Sequence, residues 1–298
     1  MTNIELFGKN YPIKDFWCGE VKGKAIPRFP GVILYIRVHN TCNGKCKFCL
    51  NERNTSNEEI DIEKLKYVIK YLDEKRILST ITITGGEPLL NPDKLNTIIN
   101  AIVEVTPKIK ISISTNGTNL EQITNFDNLN NIEAIHVSRH FYIDEINNQI
   151  LGVNSATSET IKRVQSKLNN IIINTVAIKG YIDSVDKVKK MCEQARLLEV
   201  KRIHFVSLID YNEYCRSNYI DINSIFKKLE KQGDLKRIDD RYRWNYCECH
   251  FYNYEKEKEK ILVMTRLTHQ NYCDYVEQLV YTNDNKLLTG FDGEEIIC

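Results

Sequence analysis

Between residues 31 and 210 the chain alternates strand-like and helix-like stretches about six times, which restricts it to few folds. Val32-Ile33-Leu34-Tyr35-Ile36-Arg37-Val38 is nearly continuous in apolar and β-branched character and reads as the first strand. Residues 80–84, 110–114, 132–137, 171–178 and 201–207 repeat the signal. The helical stretches between them include one opening near Ser56, where Ser56-Asn57-Glu58-Glu59 reads as a capping box and Ile60, Leu65, Val68, Ile69 and Leu72 fall on one face. Further helices are expected over about 92–104, between 140 and 169, and around 184–198. Alternation at this spacing suits right-handed crossovers and a parallel sheet. Six units are too few to close an eight-unit barrel. The expected fold is therefore α/β: an open partial (β/α)6 barrel with parallel strands, plus a carboxy-terminal α+β extension.

Three segments follow from this. Residues 1–30 carry Pro12, Pro27 and Pro30 and read as an irregular amino-terminal segment. Residues 31–210 form the (β/α)6 core. Residues 211–298 change character, crowding Tyr211, Tyr214, Tyr219, Tyr242, Trp244, Tyr246, Phe251, Tyr252 and Tyr254 into irregular periodicity. They read as an extension that covers the barrel and shapes a substrate site. Within it we expect a helix over 220–235, a strand over 261–264 and a hairpin turning at Asn283-Asp284-Asn285.

Polar residues and glycines collect where the expected strands end, and in parallel α/β folds those carboxyl ends are where sites are built. Cys42-Asn43-Gly44-Lys45-Cys46-Lys47-Phe48-Cys49 follows the first strand directly. Three thiols in one short loop ask for a soft metal or an iron–sulfur cluster, and three ligands leave an open coordination position. A structural zinc knuckle would need a fourth nearby Cys or His, and His39 lies at the end of the strand. The second strand ends in Gly85-Gly86-Glu87-Pro88, where paired glycines let backbone approach a ligand closely and Glu87 can accept from an ammonium.

Cys42-x3-Cys46-x2-Cys49, with Phe48 before the last cysteine and Gly-Gly-Glu-Pro one βα unit later, resembles the signature of the radical S-adenosylmethionine (SAM) superfamily. The resemblance implies that Cys42, Cys46 and Cys49 hold a 4Fe–4S cluster whose fourth iron takes the amino and carboxylate groups of SAM. It implies further SAM contacts from Phe48, Gly85, Gly86 and Glu87, from Thr115 and Asn116 in Ser114-Thr115-Asn116-Gly117, and from Ser138. Arg139 departs from the pattern, and its positive charge is a candidate contact for the SAM carboxylate or an anionic substrate. Asn174, Val176 and Ile178 resemble the segment that lines the adenine. The implied activity is reductive cleavage of SAM to a 5′-deoxyadenosyl radical that abstracts hydrogen from a small-molecule substrate, a nucleotide or sugar among the candidates. An external electron donor of flavodoxin or ferredoxin type is implied as partner. Peptide or protein modification is the alternative within the family, and a non-catalytic metal-binding regulator is the alternative outside it.

Within the superfamily the first 210 residues are most similar to the GTP 3′,8-cyclase branch, carried by Ile173-Asn174-Thr175-Val176-Ala177-Ile178-Lys179-Gly180 and Lys201-Arg202-Ile203-His204-Phe205. That branch has a carboxy-terminal cysteine pattern for a second cluster. Here the candidates Cys247, Cys249 and Cys273 do not match its spacing. Tyr214, Cys215 and Tyr246 are candidates to face the substrate and relay a hydrogen atom. Cys192, in a helical stretch, reads as an inert buried thiol.

With 41 Lys and Arg against 40 Asp and Glu, the formal charge of +1 gives no electrostatic reason to expect a nucleic-acid partner. No apolar run approaches a membrane span and the amino terminus lacks a basic n-region, so the expected location is cytoplasmic.

Overall fold

The computed structural model describes residues 2–13, 17–21, 24–28, 31–50, 58–238, 249–266, 276, 278–291, 293–296 and 298. The chain opens with two antiparallel pairs: β1 (Thr2–Leu6) with β2 (Lys9–Ile13), and β3 (Trp17–Val21) with β4 (Lys24–Arg28). These replace the irregular segment expected from the prolines. Phe7 (φ 48°) and Gly8 (φ 84°) form a tight turn between β1 and β2 with both central residues at positive φ, the geometry that matches strand twist. A two-stranded ribbon also tolerates Pro12, because every second backbone N–H of each strand faces away from its partner. Phe7 stacks on Tyr71 at 4.0 Å, tying this ribbon to the first helix.

The core then runs β5 (Val32–Arg37), α1 (Ile62–Glu74), β6 (Leu78–Thr84), α2 (Pro92–Val105), β7 (Ile111–Thr115), β8 (Ile132–Ser138), α3 (Asp144–Leu151), α4 (Ser158–Leu168), β9 (Ile171–Ala177), α5 (Val185–Leu197) and β10 (Arg202–Ser207). The first helix starts at Ile62, capped by Asp61, whose side chain accepts from the Glu63 and Lys64 N–H groups. The capping box expected at Ser56 falls at residues outside the described set. The true cap is an aspartate that accepts from two orphan donors of the first turn at once. After β10 come α6 (Glu213–Ser217), α7 (Ile222–Lys231), β11 (Lys236–Arg237), β12 (Cys249–Lys256), β13 (Glu259–Arg266), β14 (Gln278–Tyr281), β15 (Leu287–Leu288) and β16 (Glu295–Ile296).

All strands from β5 onward join one open sheet, ordered β11-β12-β13-β10-β9-β8-β7-β6-β5-β14-β15-β16. The six core strands are mutually parallel, as expected. The carboxy-terminal extension does not only cover them. Its β13 pairs parallel to β10, and its β14 pairs parallel to β5, so it continues the sheet at both ends. Among the described residues β13 and β14 do not pair with each other, and no closed barrel forms.

The two faces of this sheet differ sharply. Toward the helices point Leu34, Ile36, Ile81, Ile83, Ile111, Ile113, Ile135, Ile173, Ile203 and Phe205, each fully buried. The opposite face carries Tyr35, Thr82, Ser112, Ser114, His136, Ser138, Asn174, Arg202 and His204 at successive register positions. Parallel sheets packed on both faces are apolar on both. Here one face is a polar strip, and burying it without ligands or water would leave hydroxyls and imidazoles undersatisfied.

Candidate active site

The cysteine loop sits at the carboxyl edge of the sheet and is held by three neighbouring segments. The first is the turn after β6. Gly86 N–H donates to the His39 carbonyl at 2.6 Å and Glu87 N–H donates to the Thr41 carbonyl at 3.0 Å. A Cβ at Gly86 would lie 1.9 Å from the Thr41 oxygen, and one at Gly85 would lie 2.5 Å from the His39 oxygen. The paired glycines therefore let two stretches of backbone touch.

The second segment follows β7. Asn116 Nδ2 donates to Asn43 Oδ1 at 2.9 Å and lies 4.0 Å from Cys42 Sγ, while Asn43 Nδ2 donates to Thr118 Oγ1 at 2.9 Å. The third is the end of α3, where the Leu151 carbonyl accepts from Lys45 N–H at 2.8 Å and from the Cys46 thiol at 3.6 Å. Farther along the loop, Asn212 Nδ2 donates to the Lys47 carbonyl at 3.0 Å, and Lys47 Nζ lies 5.7 Å from the centre of the Tyr214 ring. Phe48 meets the His140 ring edge-on at 5.1 Å.

Cys42, Cys46 and Cys49 are not joined in disulfides. Burial, followed by the neighbouring Cys49 and Cys42 thiols, pushes Cys46 up to about 12, and Cys42 is raised as well, burial first. Three adjacent thiolates are unfavourable until a cation removes their protons and shares their charge. Among the described residues no three His, Cys, Asp or Glu side chains converge closely enough to hold a single metal ion. A cluster that places its own irons and sulfides between the thiolates fits such spacing and donor chemistry better than one ion does.

Glu87, for which the resemblance implies an ammonium contact, is built into the fold. It is 1% exposed, and its carboxylate accepts from Thr115 Oγ1 at 2.6 Å, Asn116 N–H at 2.6 Å and Leu89 N–H at 3.0 Å. Burial raises this carboxyl above its ordinary value, and the three donors work against that rise. The buried Thr115 hydroxyl donates to Glu87 and accepts from Gly117 N–H at 2.9 Å.

Arg139 is likewise engaged within the protein. Its side chain is fully buried and bonds Asp144 Oδ1, Ser158 Oγ and the Tyr142 carbonyl, within the helix layer. It is the centre of a structural ion pair. Ile178 is fully buried in the core, and so is Cys215, whose thiol burial raises.

Ser138 and Asn174 do belong to that strip, adjacent in register. Asn174 Oδ1 lies 3.4 Å from His136 Nδ1. Val176 shares the face, with its N–H donating to His140 Nδ1 at 3.1 Å. Tyr214 is half-buried against the outer side of the cysteine loop. Tyr246, Cys247 and Cys273 lie outside the described residues. Cys249 opens β12, with its side chain outside the described set.

Sequence reasoning missed His136, Arg202 and His204. Their signal was the period-2 alternation of Ser, Thr, His, Asn and Arg along β6 to β10, which marks one face of each strand.

Residues 36–195 match the family model described as the Radical SAM superfamily. A probable GTP 3′,8-cyclase of Thermococcus kodakarensis is 22% identical over 267 residues, covering 87% of this chain and 84% of the relative. A probable GTP 3′,8-cyclase of Methanococcus aeolicus is 27% identical over 217 residues, 69% of each chain. A probable dual-specificity RNA methyltransferase RlmN of Exiguobacterium sibiricum is 27% identical over 229 residues, 68% of this chain and 63% of the relative. Among solved structures, Streptococcus suis SuiB bound to S-adenosylmethionine aligns with a TM-score of 0.64 at 14% identity. That match covers 91% of this chain and 64% of SuiB, and at such identity it is a likeness of fold.

Proposed function

The chain belongs to the radical SAM superfamily, and from that premise we propose that it cleaves SAM reductively and uses the resulting radical on a small-molecule substrate. It is an enzyme, and its cofactors are a 4Fe–4S cluster and SAM. When bound, these supply the 5′-deoxyadenosyl radical that abstracts a hydrogen atom. Cys42, Cys46 and Cys49 are the residues we assign to the cluster, on a loop that the Gly85–Glu87 turn, Asn116 and the Leu151 carbonyl pre-organise. We take the open sheet to curve as a partial (β/α)6 barrel over residues 31–210. Its polar face would then line the chamber below the loop, with residues 211–298 completing the chamber's two sides.

One observation carries this reading. The cysteine loop is fixed at the carboxyl edge of a parallel sheet whose helix-free face carries a polar side chain on every strand from β6 to β10, interleaved with Ala134, Ile172, Val176 and Val206. That face supplies donors and acceptors to orient a substrate, and a chamber closed from water protects a reactive carbon. The substrate class we favour is a small molecule such as a nucleotide or sugar, with electrons from an external flavodoxin- or ferredoxin-type protein.

The test is anaerobic reconstitution, reduction and assay for 5′-deoxyadenosine. Formation by the wild-type chain and loss in Cys46→Ala support the reading. A reduced, cluster-loaded protein that binds SAM and never cleaves it would sink it, and would favour a non-catalytic regulator.

A further inference from the structure

The polar strip has an asymmetry of charge. At its register positions on the eight parallel strands there is no Asp or Glu, whereas Arg37, Arg202 and Arg266 occur. Arg202 differs from every other arginine of the core. It is half-buried and forms no hydrogen bond or ion pair among the described residues. Its electrostatic neighbours are His136 and His204, whose rings lie 5.7 Å apart across β8 and β10. Burial keeps both imidazoles neutral, holding His136 down to about 4, so they offer ring N–H donors and lone pairs without adding fixed charge. Asn174 on β9, level with His204 in register and with its Oδ1 3.4 Å from His136 Nδ1, adds an amide, while Ile172 lies level with His136 and Arg202.

A half-buried guanidinium without a carboxylate is costly unless something anionic joins it. We propose that this strip binds an anionic group of the substrate, phosphoryl or carboxylate, with Arg202 as the charge and His136, Asn174 and His204 orienting it. Arg202 stands near the amino-terminal end of β10, so the anion is held deep and the rest of the substrate points toward the cysteine loop. The inference rests on the reading above that the helix-free face is the substrate chamber.

The test uses the cluster-reconstituted protein and isothermal titration with two probes, inorganic pyrophosphate and citrate, which separate phosphoryl from carboxylate recognition. Variants are Arg202→Met, Arg202→Lys and His204→Gln. We expect at least one probe to bind the wild type. Loss of a charge-assisted contact should weaken it about tenfold or more in Arg202→Met, and by a smaller factor in Arg202→Lys and His204→Gln. SAM affinity, measured on the same samples, should stay constant, which reports a folded site. Failure of both probes to bind the wild type overturns the proposal. So does a wild-type affinity retained in Arg202→Met, or in Arg202→Lys and His204→Gln together if Arg202→Met does not fold. Because 5′-deoxyadenosine formation is assayed separately, failure of anion binding leaves the radical SAM reading standing.

Discussion

The carboxylate of Glu87 holds the backbone N–H of Asn116 at 2.6 Å, and the side chain of Asn116 in turn holds Asn43 in the cysteine loop at 2.9 Å. One buried acid at the end of β6 thus fixes a residue at the end of β7, and through it the loop after β5. Glu87→Gln keeps the shape but swaps one acceptor oxygen for an amide that must face N–H or O–H donors. We expect a stability loss of about 1–3 kcal/mol, seen in denaturant midpoints. Iron retained after reconstitution should fall with it. Unchanged iron content and stability would show that the acid does not support the loop.

Gly86→Ala and Gly290→Ala make the same chemical change in opposite settings. At Gly86 the new methyl would meet the Thr41 carbonyl at 1.9 Å, and backbone on both sides cannot give way cheaply. At Gly290 nothing lies within 4 Å. Iron loading should drop severalfold in the first variant and stay at the wild-type level in the second. Equal loading would mean that the close backbone approach is not needed to shape the loop.

The cysteines should divide cleanly. Ala at position 42, 46 or 49 should remove the characteristic cluster absorbance, whereas Cys192→Ala, on the buried face of α5, should keep it. A wild-type count of about four irons per chain is expected, and about eight would establish a second cluster.

His140 predicts how stability depends on pH. Its Nδ1 accepts the Val176 N–H at 3.1 Å, so protonation there would set one N–H against another. Burial holds its pKa down to about 3, against the ordinary value of 6.5. The unfolded chain therefore takes up a proton that the folded chain refuses. The contribution is complete above about pH 6.5 and is lost as pH falls toward about 3, by up to about 1.4 kcal/mol per pH unit. His136 acts in the same direction. Between about pH 7.5 and about pH 5.5 the denaturant midpoint should fall, and less so in His140→Gln. A His140→Gln profile parallel to the wild type would contradict this.

The six βα units were legible because each strand ends in a polar or glycine cluster and each helix carries a 3.6-residue apolar stripe. The roles of Glu87 and Arg139 were not. The donors to Glu87 come from residues 89, 115 and 116, so its role depends on β6 and β7 being neighbours. The partners of Arg139 come from α3 and α4, elements placed only by the fold. The strand over 261–264 and the hairpin at 283–285 were legible as β13 and β14–β15, but their pairing with the core was hidden for a similar reason. Their parallel partners β10 and β5 are remote, with Leu279 paired to Leu34, and no local pattern encodes such a contact. The polar strip was present as alternation, but the apolar weight of β5 masked its period.

Arg139 gives the sharpest separation between a binding role and a structural one. Its guanidinium is fully buried and paired to Asp144, which is about a quarter exposed at 27%. Two guanidinium nitrogens, Nε and Nη1, have no hydrogen-bond partner among the described residues. Removing one member of a buried pair typically costs about 3–5 kcal/mol, because the other charge is left uncompensated. Asp144 keeps its bonds to Ser158 N–H and Oγ and some solvent, so the cost of Arg139→Met should sit at or below the low end, about 2–3 kcal/mol. Asp144→Asn strands a fully buried cation and should cost at least as much. In the double variant the two losses should not add, since the second change removes a charge the first has already orphaned. SAM affinity is the deciding measurement. If Arg139 only ties β8 to α3 and α4, the affinity of folded Arg139→Met for SAM equals that of the wild type. A fall of about tenfold or more with stability restored at low temperature would return Arg139 to the cofactor site.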